Sequence, residues 1–399
     1  TDIALDEATS TIWVTATVTF PERGLVTLDN PPFEAHVQAF DSETGEPMQG
    51  TVLGPASDQE GYVLGPQALW LTDDAIWVAA QDSGVVIELD GETLSERRRI
   101  ALPGGPRSLL GSSDALWVHA PHTMTVHRID ADGDPLPVTT GDDPRPVDLA
   151  AGQLHFIQPG ESYGQNFSCN SCHYDGRGDT EVWRAGPFET WELSRPLMWL
   201  DGTAPLGWAA YVNDTRTFGF TGFASIIGVW PTTQMANELT QFLSSFAPPP
   251  KANGLTQRDG QLSVEATTGQ DLFNGKAGCA GCHNGPLTSS NQTFEEGITE
   301  GRVSTPVLVG AYRHNAWLKD GSAQTLREAT LAAASWAGAP DLTESEVDAI
   351  VRYVRELTDR DFFLLQHQPL PDTGPVGVDE SIRLTFNQPV WTGDGAEDR

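Results

Sequence analysis

All four cysteines of this 399-residue chain stand in two Cys-x-x-Cys pairs, and a histidine follows each pair directly: Cys169, Cys172 and His173, then Cys279, Cys282 and His283. Two thiols three positions apart can each form a thioether with one vinyl group of a haem, and the adjacent imidazole then serves as proximal ligand to the iron. The motifs therefore predict two covalently bound haems of the c type. A four-cysteine zinc site, a pair of disulfides and a thioredoxin-like redox pair would use the same cysteines. The two pairs are 110 residues apart, far beyond the spacing of a zinc ribbon, and none of these alternatives gives the histidines a role. With nine histidines in the whole chain, two such placements are hard to assign to chance.

Such motifs need helices to hold them. After position 160 the composition turns to Trp, Gly, Pro and helical signals, and two segments of about a hundred residues share one plan: a CxxCH motif, a Pro-containing loop and an amphipathic helix. Before the second motif, Gly269, Leu272 and Phe273 predict a short helix that leads into the attachment loop. The closing helix of the second segment is announced by Thr343 and Glu346, a capping box, then by Val347, Ile350, Val351, Val354 and Leu357 at helical spacing. Its counterpart is Met235, Leu239, Phe242, Leu243 and Phe246, stopped by Pro248, Pro249 and Pro250. Residues 159–250 and 251–366 thus read as two mainly α, cytochrome c-like domains in tandem.

Residues 1–158 are rich in strand formers and carry a recurring triplet: Ile12, Trp13, Val14; Ile76, Trp77, Val78; Leu116, Trp117, Val118; then Leu154, His155, Phe156. The spacing from Trp77 to Trp117 is 40 residues and from Trp117 to His155 is 38. Periods of that size fit one four-stranded propeller blade per repeat, with the three tryptophans in equivalent inner positions. Alternating runs that end in an acidic turn, 85–90 (VVIELD), 126–130 (VHRID) and 36–41 (HVQAFD), read as outer strands. An ordinary sandwich is the alternative. Three or four blades do not close a typical ring, so the expected fold is multi-domain, an incomplete β-propeller followed by two α domains. The chain starts at Thr1 with neither an initiator Met nor a signal peptide, which predicts a processed or truncated product with further blades upstream.

Composition narrows the function. With 55 acidic against 23 basic residues, the net charge is -32, which repels nucleic acid and anionic membranes and favours cationic or neutral partners. Only Lys251, Lys276 and Lys319 are lysines; an Asp-rich, Lys-poor surface fits a salty or extracellular setting, with a GC-rich genome as the bland alternative. No apolar run reaches the roughly eighteen residues that span a bilayer. A periplasmic or extracellular place follows from the haem motifs, as does a redox protein partner, donor or acceptor.

In combination, several segments resemble the bacterial di-haem cytochrome c peroxidase superfamily. Residues 167–183 (FSCNSCHYDGRGDTEVW), 195–197 (RPL) and 202–208 (GTAPLGW) are similar to its first haem region, and 278–286 (GCAGCHNGP), 304–310 (STPVLVG) and 317–325 (WLKDGSAQT) to its second. The resemblance covers about half the chain. It implies one haem with an open distal side that meets hydrogen peroxide, another that supplies electrons, and a calcium ion. Related enzymes of the methylamine-utilisation type instead oxidise protein Trp or Tyr side chains, and a subgroup joins a propeller to the catalytic region. Trp183, Trp191, Trp199 and Trp208 follow the first motif, where they either relay electrons or pack on porphyrin faces.

The departures from the family pattern concern the distal ligands. No histidine stands between His173 and His283, which leaves the first haem open or ligated by Met198 or Met235. In the second segment Lys319 replaces the family's loop histidine, and no ligating side chain stands at 331–335, so His314 and Lys319 are the distal candidates. Neutral imidazole favours His314, since an amine holds its proton to about pH 10 unless burial lowers that value. Glu189, Arg195 and Arg216 are candidates to assist peroxide cleavage or are solvated surface charges; no residue is assigned as catalytic. Residues 367–399 form a tail whose alternation at Ile382, Leu384 and Phe386 reads as the start of an immunoglobulin-like domain or as a simple extended tail. The functional expectations are a peroxidase-like di-haem oxidoreductase, an electron-transfer cytochrome in a surface or extracellular assembly, and a structural protein with vestigial haems.

Overall fold

The computed structural model describes residues 2–23, 31–54, 62–112, 114–130, 133–162, 165–184, 191–246, 261–285, 287–295, 297–339, 341–357, 364–368 and 383–386. The chain parts into two compact units, Thr1–Pro196 with Arg216–Ser245 and Leu197–Thr215 with Phe246–Arg399. Glu189, Lys251, the three prolines at 248–250 and most of the tail lie outside the described residues.

The first unit opens with three four-stranded antiparallel sheets, each a meander in chain order. They are β1 (Asp2–Asp6), β2 (Thr11–Thr19), β3 (Phe33–Asp41) and β4 (Pro47–Val52); β5 (Pro66–Leu71), β6 (Ala75–Ala80), β7 (Val85–Asp90) and β8 (Glu96–Ala101); and β9 (Ser108–Gly111), β10 (Leu116–Ala120), β11 (Thr125–Ile129) and β12 (Leu136–Thr139). The runs ending at Asp41, Asp90 and Asp130 fall on the third strands, and Trp13, Trp77 and Trp117 all fall on the second strand of their sheets. The middle sheet is covered on both faces. Ile76, Val78, Ala80, Ile87 and Leu89 pack with Trp13, Val37 and Ala39 of the first sheet, while Ala79, Val86 and Ile100 pack with Leu116, Val118 and Ile129 of the third. Burial on both sides is why β6 is apolar throughout rather than alternating.

A repeated Asp-x-x-Thr step closes three of the hairpins. Asp6, Asp41 and Asp90 each accept from the backbone N–H groups two and three residues on, at 2.7–3.4 Å, and from the Thr hydroxyl. These bonds replace the backbone partners that the strands lose at the turn, and they hold all three carboxyls below their ordinary range.

Leu154, His155 and Phe156 do not form the strand expected from the repeat; they lie in α1 (Val147–Ile157). A triplet is too short to separate a period of two from one of 3.6, and here Gly152, Phe156 and Ile157 are buried at helical spacing. The helical part thus begins inside the segment read as blades. It continues with the one-turn α2 (Cys169–Cys172), the hairpin β13 (Val182–Arg184) and β14 (Trp191–Leu193), then α3 (Thr215–Thr221), which passes into a π-helical stretch at Gly222–Ile227, and α4 (Thr233–Ser244).

The second unit contains α5 (Val264–Asn274), the short pair β15 (Thr293–Phe294) and β16 (Val303–Ser304), α6 (Leu326–Trp336) and α7 (Glu344–Glu356). Its core is Ala266, Phe273, Ala311, Leu326, Ile350, Tyr353 and Val354. Thr343 and Glu346 form the expected capping box, Thr325 and Glu328 form another on α6, and the fully buried Glu356 accepts from the N–H and hydroxyl of Ser263, the α5 N-cap, at 2.8 and 2.7 Å. Of the tail, β18 (Arg383–Phe386) is described, antiparallel to β17 (Leu364–Gln368). Among the described residues no helix is long and apolar enough to cross a membrane.

The two units repeat one packing device. α1 crosses α4 and α5 crosses α7, each at a glycine. A Cβ on Gly152 would stand 2.0 Å from the Glu238 carbonyl oxygen, and one on Gly269 would stand 1.9 Å from that of Ala349. Four residues beyond each crossing an aromatic pair meets, Phe156 with Phe242 at 5.3 Å and Phe273 with Tyr353 at 5.2 Å between ring centres. Backbones this close leave no room for a methyl group. Gly152→Ala and Gly269→Ala should therefore each destabilise the chain by about 1–3 kcal/mol, read as lowered denaturation midpoints, whereas Gly160→Ala, with open space around its Cβ, should change little.

Candidate functional site

Each motif winds into a single turn, α-helical at Cys169–Cys172 and 3-10 at Cys279–Gly281. In each, the histidine N–H donates to the carbonyl of the first cysteine at 2.9 Å, His173 to Cys169 and His283 to Cys279. One helical turn places positions three apart on the same face, which sets the two thiols of each pair side by side. Ser168 caps the first turn, exchanging bonds with Ser171; Gly278, at φ +68°, starts the second. None of the four cysteines forms a disulfide, and all four are partly exposed. Burial pushes the Cys172 thiol well above its ordinary value and raises Cys279 as well, the opposite of the lowered thiol that a thioredoxin-like pair requires.

The imidazoles have the state a metal ligand needs. Burial brings His173 down to about 4, against the backbone of Arg195 and Arg177, which lies near enough to pull it partly back. Its Nδ1 is shut from solvent and makes no hydrogen bond of good geometry. Burial lowers His283 too, and its Nδ1 meets the Thr288 carbonyl at 3.1 Å. An Nδ1–H given to a carbonyl leaves Nε2 as the free lone pair, the arrangement usual for metal-bound histidine. Two neighbouring thiols and one neutral imidazole at each turn, oriented by the Thr288 carbonyl in the second, fit covalent haem. A zinc site would need its donors at one point, and among the described residues no three Cys, His, Asp or Glu side chains converge in that way.

The other sequence candidates separate. Met235 lies in the first unit, in the opening turn of α4, and Met198 belongs to the second unit; both are partly buried. Lys319 is buried, 4% exposed, with Nζ 3.4 Å from the Arg302 carbonyl, whereas His314 ends a short 3-10 turn and is half-buried. Lys319 has a structural counterpart. The bridges between Leu206 and Val212 and between Trp317 and Ala323 each span six residues and each precede a helix by three, so Trp208 and Lys319 stand at the same step of two similar loops.

Trp183 and Trp191 fall in the first unit, Trp199 and Trp208 in the second. Trp183 is buried against Phe33, 5.1 Å between ring centres, while Trp191 is half exposed. Trp208 is buried and its carbonyl accepts from the Ser304 N–H at 2.6 Å. Arg216 is an exposed residue bonded to Asn237, and Arg195 is partly buried.

Three residues that the sequence reading passed over surround the first motif. Asp179 accepts from the Trp183 indole at 2.8 Å, from the Glu181 N–H at 3.0 Å and from the Ser194 hydroxyl, while its own N–H bonds the Cys172 carbonyl at 2.9 Å. Burial raises its carboxyl to about 6. Asn170, between the two cysteines, donates to both oxygens of Asp82 at 3.1 Å. Asp82 comes from the turn after β6, and burial raises it to about 7 against the opposing pull of Asn170. Asp179 stands in a polar run that looks like an ordinary turn, and the Asp82 to Asn170 pairing spans 88 residues with no local signal.

The raised carboxyl of Asp82 has a direct consequence for stability. Its folded value, about 7, lies above the ordinary 3.8, so between those values the folded chain holds a proton that the unfolded chain has lost. Stability from this group is full below about pH 4 and falls as the pH rises through 7. Asp82→Asn should remove that fall: melting curves at pH 5 and pH 8 should differ less in the variant than in the parent chain.

No family model matches the chain. Among curated proteins, it is similar to cytochrome-c peroxidase IdrP1 of Denitromonas iodatirespirans, 51% identical over 39 residues, 10% of each chain. It is also similar to cytochrome-c peroxidase IdrP1 of Pseudomonas sp. (strain SCT), 36% identical over 72 residues, 18% of this chain and 19% of the relative. The match thus spans between a tenth and a fifth of the length of these relatives. Among solved structures, hydrazine synthase of Kuenenia stuttgartiensis aligns over 53% of this chain and 88% of its own at 18% identity, TM-score 0.46. A MauG-like protein associated with microbial copper homeostasis aligns over 56% and 91% at 16% identity, TM-score 0.43.

Proposed function

We propose that the chain is a di-haem c-type redox protein of peroxidase type. In this reading Cys169 and Cys172 hold one haem with His173 as its proximal ligand, and Cys279 and Cys282 hold another with His283. The observation that carries the reading is the turn at each motif, closed by the bond from the histidine N–H to the first cysteine's carbonyl, with a buried imidazole that burial keeps neutral directly after the second cysteine. Bound there, haem supplies one-electron transfer and, wherever an iron keeps a free position, reaction with hydrogen peroxide. The lack of histidine between positions 173 and 283 assigns the peroxide chemistry to the first site and electron supply to the second. His283 orients its ring through the Thr288 carbonyl, and Trp183 and Trp208 are the buried aromatic candidates for an electron relay.

The three stacked sheets support a reading as blades of an incomplete propeller. The net charge of -32 favours a cationic redox partner, and covalent haem attachment fits a periplasmic or extracellular place. One observation favours a second reading. Lys319 is a buried amine in the loop where the family carries its histidine; if both irons are fully ligated, the chain only transfers electrons, with the sheets serving a surface assembly.

A pyridine haemochrome assay should give two c-type haems per chain; one haem, or zinc in their place, contradicts the reading. Ferric spectra should show high-spin iron at one site that responds to peroxide, and two low-spin irons indifferent to peroxide would select the second reading. Lys319→Ala or His314→Ala should produce new high-spin character at the second site for whichever residue is the ligand. If neither variant does so, both distal assignments are wrong.

A further inference from the structure

Haem attachment makes no demand on the two residues between the cysteines, and the second motif carries Ala280 where the first carries Asn170. Yet the Asn170 side chain is used completely on its inner side. Its amide nitrogen donates to both Asp82 oxygens, its oxygen accepts from the Asp175 N–H at 3.3 Å, and both Asp82 and Asn170 are 4% exposed. The middle sheet is shaped to receive this pair. At Gly65, φ +65°, a Cβ would stand 2.5 Å from the Asp82 carboxyl carbon, so only glycine leaves space for the carboxylate. Two weaker contacts flank it: the Tyr174 hydroxyl donates to Gln67 at 3.0 Å, and Arg107 lies 3.8 Å from Asp175. Burying a carboxylate is costly as mere packing, because an apolar contact would hold the loop without the desolvation penalty.

We propose that Asp82 is a positioning residue for the first haem: through Asn170 it fixes the attachment turn against the middle sheet and sets an acidic group next to that turn. The inference rests on the haem reading above and adds to it a link between the β sheets and the redox behaviour of one site. A nearby negative charge favours the ferric over the ferrous state, and so lowers the midpoint potential.

The test uses the full chain at pH 8, where the carboxylate is ionised, with haem content measured first. Midpoint potentials of both haems are then titrated in the parent chain, Asp82→Asn, Asn170→Asp and the double swap. The expected result is that one potential rises in Asp82→Asn while the other stays, and that the double swap, which restores an amide facing a carboxylate, brings the shifted potential back towards the parent value. A rise that the swap does not reverse, or two potentials unchanged in Asp82→Asn, overturns the inference. Should Asp82→Asn fail to fold, Asn170→Ala, which copies the second motif, should shift the same single potential, and no shift there overturns the inference equally. A parent chain without haem at the first motif instead overturns the haem reading, which the prior haem count distinguishes.

Discussion

An imidazole holds a metal through an unprotonated nitrogen, and burial keeps both candidate ligands unprotonated before any haem is present. In this protein one turn of helix presents such a ring twice. The bond from the histidine N–H to the carbonyl of the first cysteine closes each turn, and burial keeps the ring unprotonated. Elements distant in sequence serve that turn. The glycine crossings bring a helix pair together in each unit, and in the second unit Phe273 of that pair stands 6.3 Å from the His283 ring.

The same plan has been filled differently in the two copies. The second turn is steadied by its own neighbourhood, through the Thr288 carbonyl and the apolar core around Phe273. The first is steadied from the β part, by Gln67 of β5, Asp82 in the turn after β6 and Arg107 just before β9, and by Asp179, which joins the Cys172 carbonyl to Trp183. Asp82, Asn170 and Asp179 are polar partners in buried surroundings, whereas the second turn is held mainly by packing.

The sequence shows features that depend on local chemistry. The CxxCH triplets, the Thr343 capping box, the α4 and α7 periodicity and the tryptophan-bearing strands are all legible because each rests on residues a few positions apart. Leu154, His155 and Phe156 misled because an apolar triplet suits either a strand or one face of a helix, and only the buried contact of Gly152 with α4 decides. Asp82 gave no sign, since its partner is 88 residues away and a turn aspartate is normally solvated. The segment Leu197–Thr215 follows the first motif in the chain yet belongs to the compact unit of the second, a division that no periodicity could reveal. Lys319 was visible as a rare residue type, but its burial comes from the loop geometry that it shares with Trp208.

The central claim is that two turns, each with two thiols and a neutral ring, are haem attachment sites. Peptide mapping of the native protein by mass spectrometry tests it site by site. The account predicts that the peptide bearing Cys169 and Cys172 and the peptide bearing Cys279 and Cys282 each carry the mass of one haem. Either peptide recovered with free thiols or as a disulfide, from protein made where haem is attached, would contradict it.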